Sequence, residues 1–182
     1  MTRSSSAYER ELKELLQGDR ATLQRYTRAL GPAERAAVGR AGDAPFLVVR
    51  AAGSLGFDLV ALRSEFAFPV EVKASGAETI HFSAASGRAA EQLEAHRRAV
   101  DRVGLVVLYA FRRVGHRSGD PWRLFAAPTG RRTGRMGLLA RRLPVVDTTR
   151  HGNAVLRWSD GLPLAAFLHE IAELTDDGGG RA

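Results

Sequence analysis

The sequence predicts an α/β or α+β domain built around a mixed β-sheet, and three observations carry that reading. The hydrophobic pattern switches around residues 42–46 from a helical repeat to a continuous apolar, β-branched run. Two further apolar runs flank the polar turn Arg63-Ser64-Glu65 and read as a hairpin. A helix-period segment then precedes two more strand-like runs, at 105–111 and 122–126, so helices and strands are interleaved along the chain. With 182 residues and 45% hydrophobic content, the chain fits one domain with its own core over residues 1–175, followed by a frayed tail at 176–182.

Each element has a local reason. Ser5 or Ser6 is placed to cap a first helix through Leu16, with Leu12, Leu15 and Leu16 on one side and Gly18 past its end. Asp19 caps a second helix to about Leu30. Gly31-Pro32 breaks it, and Pro32 at a first helical position opens a third helix to about Arg40. Residues 19–43 thus read as an inserted helical layer. Residues 46–51 read as a buried strand, Gly53-Ser54-Leu55-Gly56 as a turn, and 57–62 with 67–73 as the hairpin arms. A short strand at 79–82 follows. Ser86 is placed to cap a helix to about Val103, which Gly104 closes. The runs 105–111 and 122–126 read as strands, 154–158 as an edge strand and 162–174 as an amphipathic helix. Tyr109, Phe111, Trp122 and Trp158 read as core or interface anchors.

Composition removes several classes of function. No apolar run approaches the roughly 18 residues that span a bilayer, and the first residues lead into a charged periodic segment with no secretory pattern, so a cytoplasmic protein is expected. The absence of cysteine excludes disulfides, zinc-finger spacings and thiol nucleophiles. His81, His96, His116, His151 and His169 show no metal-ligand spacing. Gly53-x-x-Gly56 lacks the dinucleotide and P-loop patterns, so no nucleotide cofactor is implied. Charge is concentrated: between Arg112 and Arg142 nine arginines face one acid, Asp120, giving +8 in a chain whose total is +7. This segment reads as a solvated basic loop able to follow a phosphate backbone, or as a solubilising surface. Arg112, Arg113, Arg131, Arg132 and Arg135 are its candidate DNA contacts, and Arg50, ending the strand before the turn, is another.

The chemistry centres on Asp58, Glu71 and Lys73. A hairpin about a turn between Ser64 and Glu65 pairs position i with 129 − i, which sets Asp58 opposite Glu71. Opposed carboxylates are unfavourable unless a positive group sits between them. The two-residue side-chain period puts Lys73 on the face of Glu71. Two acids and an ammonium on one spot suit Mg²⁺-assisted hydrolysis of a phosphodiester. Only Lys13 and Lys73 among 27 basic residues are lysines, so a compact ammonium is unusual here. The plain alternative is a charged stripe on a half-exposed strand. Glu9 fits a Ser6-x-x-Glu9 capping box, or brings a third carboxylate from the first helix, with Glu11 as the fallback. Gln92 either supports the site from the following helix or lies on a solvated face.

Taken together, Ala7-Tyr8-Glu9-Arg10-Glu11-Leu12, Val49-Arg50-Ala51-Ala52-Gly53-Ser54, Asp58-Leu59-Val60-Ala61-Leu62, Val70-Glu71-Val72-Lys73 and Gln92 resemble the archaeal Holliday junction resolvases of the PD-(D/E)XK nuclease superfamily. The likeness extends to Pro121-Trp122-Arg123-Leu124-Phe125 and more loosely to Thr148-Thr149-Arg150-His151-Gly152-Asn153. It implies a restriction-endonuclease-like fold, a mixed central sheet flanked by helices. It also implies Mg²⁺, with Mn²⁺ able to substitute, held by Glu9, Asp58 and Glu71, Lys73 as the catalytic lysine, Ser54 as a helper at the scissile phosphate, and a homodimer cutting four-way DNA junctions in recombination and repair. The chain departs from the family in the helices at 19–43 and in the length of its basic segment. Two other readings stay open: a nuclease of the superfamily acting on flaps or foreign duplex, and a non-catalytic DNA-binding protein that retains the fold.

Overall fold

A computed structural model describes residues 5–51, 56–64, 66–82, 88–127, 130 and 133–176. Helices α1 (Ser5–Leu16), α2 (Arg20–Thr27) and α3 (Pro32–Asp43) precede strands β1 (Leu47–Arg50), β2 (Leu59–Arg63), β3 (Phe66–Ser75) and β4 (Thr79–Phe82). Then come α4 (Arg88–Asp101), β5 (Leu108–Arg113), β6 (Trp122–Ala126), α5 (Gly134–Arg142), β7 (Asp147–Thr148), β8 (Ala154–Arg157), β9 (Leu162–Pro163) and α6 (Leu164–Asp176). Six strands form one sheet in the order β1-β2-β3-β5-β6-β9. β3 and β5 run parallel, whereas the other neighbouring pairs are antiparallel, so the sheet is mixed as the sequence predicts.

Residue alternation on β3 and β5 divides the core. Phe66, Phe68, Val70 and Val72, with Leu108 and Ala110, face α1, α3 and α6 in the larger cluster. Tyr109 and Phe111 face the other way, into a cluster with Leu93 and Val100 of α4 and with Phe82 and Leu156. Glu71 and Lys73 fall on this second face by the same alternation. The hairpin register agrees with the expected one: Leu59 pairs with Val70, Ala61 with Phe68 and Arg63 with Phe66.

Several expectations are corrected. β1 is not a buried strand. It is the edge of the sheet, and Leu47 and Val49 are 62% and 50% exposed. Nothing in an apolar run distinguishes a strand covered on both faces from one covered on a single face. β8 is not an edge strand; it is the middle of a separate antiparallel sheet, β4-β8-β7. α2 stops at Thr27, whose hydroxyl donates to the carbonyls of Leu23 and Gln24 and so competes for the last turn. The helices of residues 19–43 pack into the main core, to which Tyr26, Leu30 and Val38 belong. Residues 112–142 are not one basic loop: the stretch includes the end of β5, all of β6 and α5. The cap expected at Ser86 and the tail from 177 onward lie outside the described residues, while Asp176 is the last residue of α6.

Candidate active site

Asp58 stands just before β2, where the chain is held on both sides. Its amide donates to Val70 O at 3.1 Å, and its carbonyl accepts from Ala51 N at 3.0 Å. Its Oδ2 accepts from Val72 N at 2.7 Å, which aims the side chain toward the middle of β3. Glu71 is 4% exposed. Its Oε1 accepts from Lys73 Nζ at 2.7 Å and from Gln92 Nε2 at 3.0 Å, while Lys73 Nζ also donates to Gln92 Oε1 at 3.2 Å. Oε2 of Glu71 is buried and has no hydrogen-bond partner among the described residues. A buried carboxylate oxygen left bare costs stability unless something electropositive meets it.

Electrostatics follow from this burial. Desolvation pushes the Glu71 carboxyl above the usual range, with Lys73 opposing and Asp58 adding to the rise. Desolvation also raises Asp58; the Val72 amide opposes it, Glu9 pushes further up, and Lys73 and Arg50 pull down. Asp58 is therefore influenced by Glu9, Lys73 and Arg50, and itself raises Glu71.

Glu9, on α1, accepts from Arg50 Nη2 at 2.6 Å, while Ser6 lies inside the helix. Among the described residues no three Asp, Glu or His side chains are grouped tightly enough to cage an ion by themselves. The structure thus brings Asp58, Glu71, Lys73 and Gln92 together and sets the Glu9–Arg50 pair beside them. Ser54, Arg131 and Arg132 lie outside the described residues. Arg112 donates to Glu11 Oε1 at 3.1 Å and lies over the rings of Tyr8 and Trp122. Arg113 pairs with Glu78 at 2.7 Å. Arg135 is in the first turn of α5.

Sequence reasoning assigned nothing to His96, yet this side chain is 2% exposed and lies against the site. Its Nε2 is 2.6 Å from Gly56 O, which fixes a proton on Nε2, and its Nδ1 is 2.9 Å from the Tyr109 hydroxyl, which then donates to it. Desolvation holds the imidazole below its ordinary pKa, with Lys73 contributing, so it is neutral near pH 7. Its separation of four residues from Gln92, one helical turn, was the available signal. Gly56 adopts φ +73°, a left-handed conformation that favours glycine.

No protein-family model matches the chain, and no curated protein matches it. Among solved structures, the chain is similar to a Holliday junction resolvase from the archaeal hyperthermophile Archaeoglobus fulgidus, with 20% identity, a TM-score of 0.47 and coverage of 79% of this chain and 95% of that one. Among the described residues no helix is long and apolar enough to cross a membrane.

Proposed function

We propose that the chain is a divalent-metal-dependent, structure-selective DNA endonuclease that hydrolyses phosphodiester bonds, resolving four-way junctions as a homodimer. The observation that carries this reading is the buried Glu71 carboxylate, with one oxygen held by Lys73 and Gln92 and the other bare, beside a second raised carboxylate at Asp58. A bare, desolvated oxygen on an acid that feels the charge of a second acid fits a hard divalent cation such as Mg²⁺ or Mn²⁺. Asp58 and Glu71 would hold it, with Glu9 the third acid. When bound, such an ion supplies Lewis acidity at the phosphoryl oxygens and eases deprotonation of water. Lys73 places a compact positive charge at the same spot, where it orients the attacking water and offsets charge growing on the phosphate. Gln92 holds both Lys73 and Glu71, fixing the distance between ammonium and acid. Arg50, exposed beside Glu9, is suited to a neighbouring phosphate, and Arg131, Arg132 and Arg135 supply the sequence-independent attraction to the backbone. Ser54 is the proposed helper at the scissile phosphate.

The test is cleavage of a labelled four-way junction beside matched flap, duplex and single strand, at low salt with Mg²⁺, by wild type and Lys73→Ala. Paired symmetric cuts that vanish in the variant support a resolvase. Cutting confined to other substrates keeps the nuclease and removes the junction. Tight binding without any cutting overturns the enzyme reading.

A further inference from the structure

The Gly56 carbonyl receives two donors from one face of α4: His96 Nε2 at 2.6 Å and Gln92 Nε2 at 3.3 Å. Burying an imidazole is unfavourable unless both nitrogens are satisfied, and here both are, the second by Tyr109. The ring also stacks on Phe57, with centroids 4.3 Å apart and planes 29° from parallel. Tyr109 is the strand neighbour of Glu71 on β5. One chain of contacts therefore runs from Glu71 through Gln92, Gly56 and His96 to Tyr109 and back to the strand position beside Glu71.

We infer that His96 is a positioning residue for the metal-binding acids: by holding the Gly56 carbonyl and clamping Phe57, it fixes the main chain that delivers Asp58 to Glu71. Asp58 lies outside the paired strand, one residue before β2 begins. The ladder sets its height along the sheet. The Gly56–Phe57 peptide just before it, which turns at Gly56 with φ +73°, is held from the α4 side by the bonds described, while Asp58 itself is held from β3 through its amide and carboxylate, so its setting depends on both sides. A purely structural histidine would fill the space between α4 and β5. The Gly56 bond does more, because the same carbonyl is shared with Gln92, which uses its amide on Glu71 and its oxygen on Lys73.

This inference rests on the nuclease reading, and the experiment separates the two. His96→Phe keeps the ring and removes the donor; His96→Gln keeps a donor at the ε position. Mn²⁺ binding to the protein alone is read by electron paramagnetic resonance, alongside the Mg²⁺ concentration for half-maximal junction cleavage and a thermal melt as the folding control. Hydrogen bonds made directly to metal ligands are typically worth ten- to a hundredfold in affinity, and His96 acts on the ligands through the Gly56 peptide, so His96→Phe is expected at the low end, weakening Mn²⁺ binding roughly tenfold and raising the Mg²⁺ requirement by a similar factor. Its rate at saturating Mg²⁺ stays within about threefold of wild type, and His96→Gln stays within about twofold throughout. Folded His96→Phe with unchanged Mn²⁺ affinity, or His96→Gln as impaired as His96→Phe, overturns the inference. If His96→Phe does not fold, His96→Asn, too short to reach Gly56 O, provides the same contrast with His96→Gln. Wild type that binds Mn²⁺ and cuts DNA while the variants behave alike removes the role of His96 alone. Wild type that neither binds Mn²⁺ nor cuts removes the nuclease reading and this inference with it.

Discussion

Divalent ions are expected to raise the melting temperature of the wild-type chain and to leave Glu71→Gln unmoved. Glu71 is buried with one oxygen unpartnered, and desolvation holds its carboxyl above the usual range. Between the ordinary carboxylate value and the raised one, the folded chain therefore keeps a proton that the unfolded chain releases. Without metal, this group's effect on stability is best at low pH. It worsens as pH rises from the ordinary carboxylate range through the raised value, above which the full penalty of a desolvated charge is present. Metal binds the deprotonated form, so its stabilisation is complete above the raised value and is lost below it. At about ten times its dissociation constant an ion stabilises the folded state by about 1.4 kcal/mol. For a chain of this size that corresponds to about 3–6 °C. The assay is a thermal melt with excess chelator or with Mg²⁺, at about pH 7.5 and again near pH 4.5. The expected rise appears at the higher pH and shrinks at the lower one. The reasoning is refuted by an equal rise in Glu71→Gln, or by a rise that grows as the pH is lowered.

Other perturbations separate structure from function. Arg112→Ala removes an arginine bonded to Glu11 and laid over two aromatic rings, and is expected to cost about 2 kcal/mol, seen as a melting temperature about 4–8 °C lower, with the metal-dependent increment intact. Gly161→Ala places a Cβ 2.5 Å from Arg123 Cβ and 2.6 Å from the Phe125 ring, so denaturant unfolding is expected to show a loss of about 1–3 kcal/mol. Asp120→Ala leaves the buried amides of Trp122 and Ala165 without their carboxylate acceptor, and the same measurement is expected to show a loss of about 2–4 kcal/mol with Mn²⁺ affinity unchanged in the folded fraction.

What was legible in the sequence is what depends on neighbours along the chain. The two-residue connection at 64–65 determines the hairpin register, so the opposition of Asp58 and Glu71 follows from counting. Asp19 and Pro32 mark helix starts through local hydrogen-bond and dihedral rules, and both α2 and α3 obey them. Burial of whole faces was not legible. Leu47 and Val49 look like core residues in one dimension, yet among the described strands β1 is the sheet edge and pairs with β2 alone. The arginines of 112–142 likewise look like one segment, because net charge is additive along sequence. In space Arg112 and Arg113 are ion-paired, and Arg142 pairs with Glu170.

The candidate site divides along the same line. Asp58, Glu71 and Lys73 come from one hairpin and are close in sequence, whereas Glu9, Arg50, Gln92 and His96 reach it from α1, β1 and α4. Only the first three form a local pattern; Glu9, Arg50 and Gln92 stand out singly or through the wider resemblance, His96 not at all, and the meaning of the three depends on the others. Lys73 illustrates this. In a chain that writes almost every positive charge as arginine, the lysine stands out in composition, but composition offers no reason for it. The reason is geometric: two acceptors, Glu71 Oε1 at 2.7 Å and Gln92 Oε1 at 3.2 Å, converge on a single nitrogen. A guanidinium spreads its donors over a planar fork that suits the two oxygens of one carboxylate, whereas an ammonium directs three donors from one point. A donor that grips Glu71 by one oxygen leaves the other bare, and a bidentate arginine would cover both. The choice of lysine is thus the same fact as the unpartnered Oε2, seen once in the sequence and once in the fold.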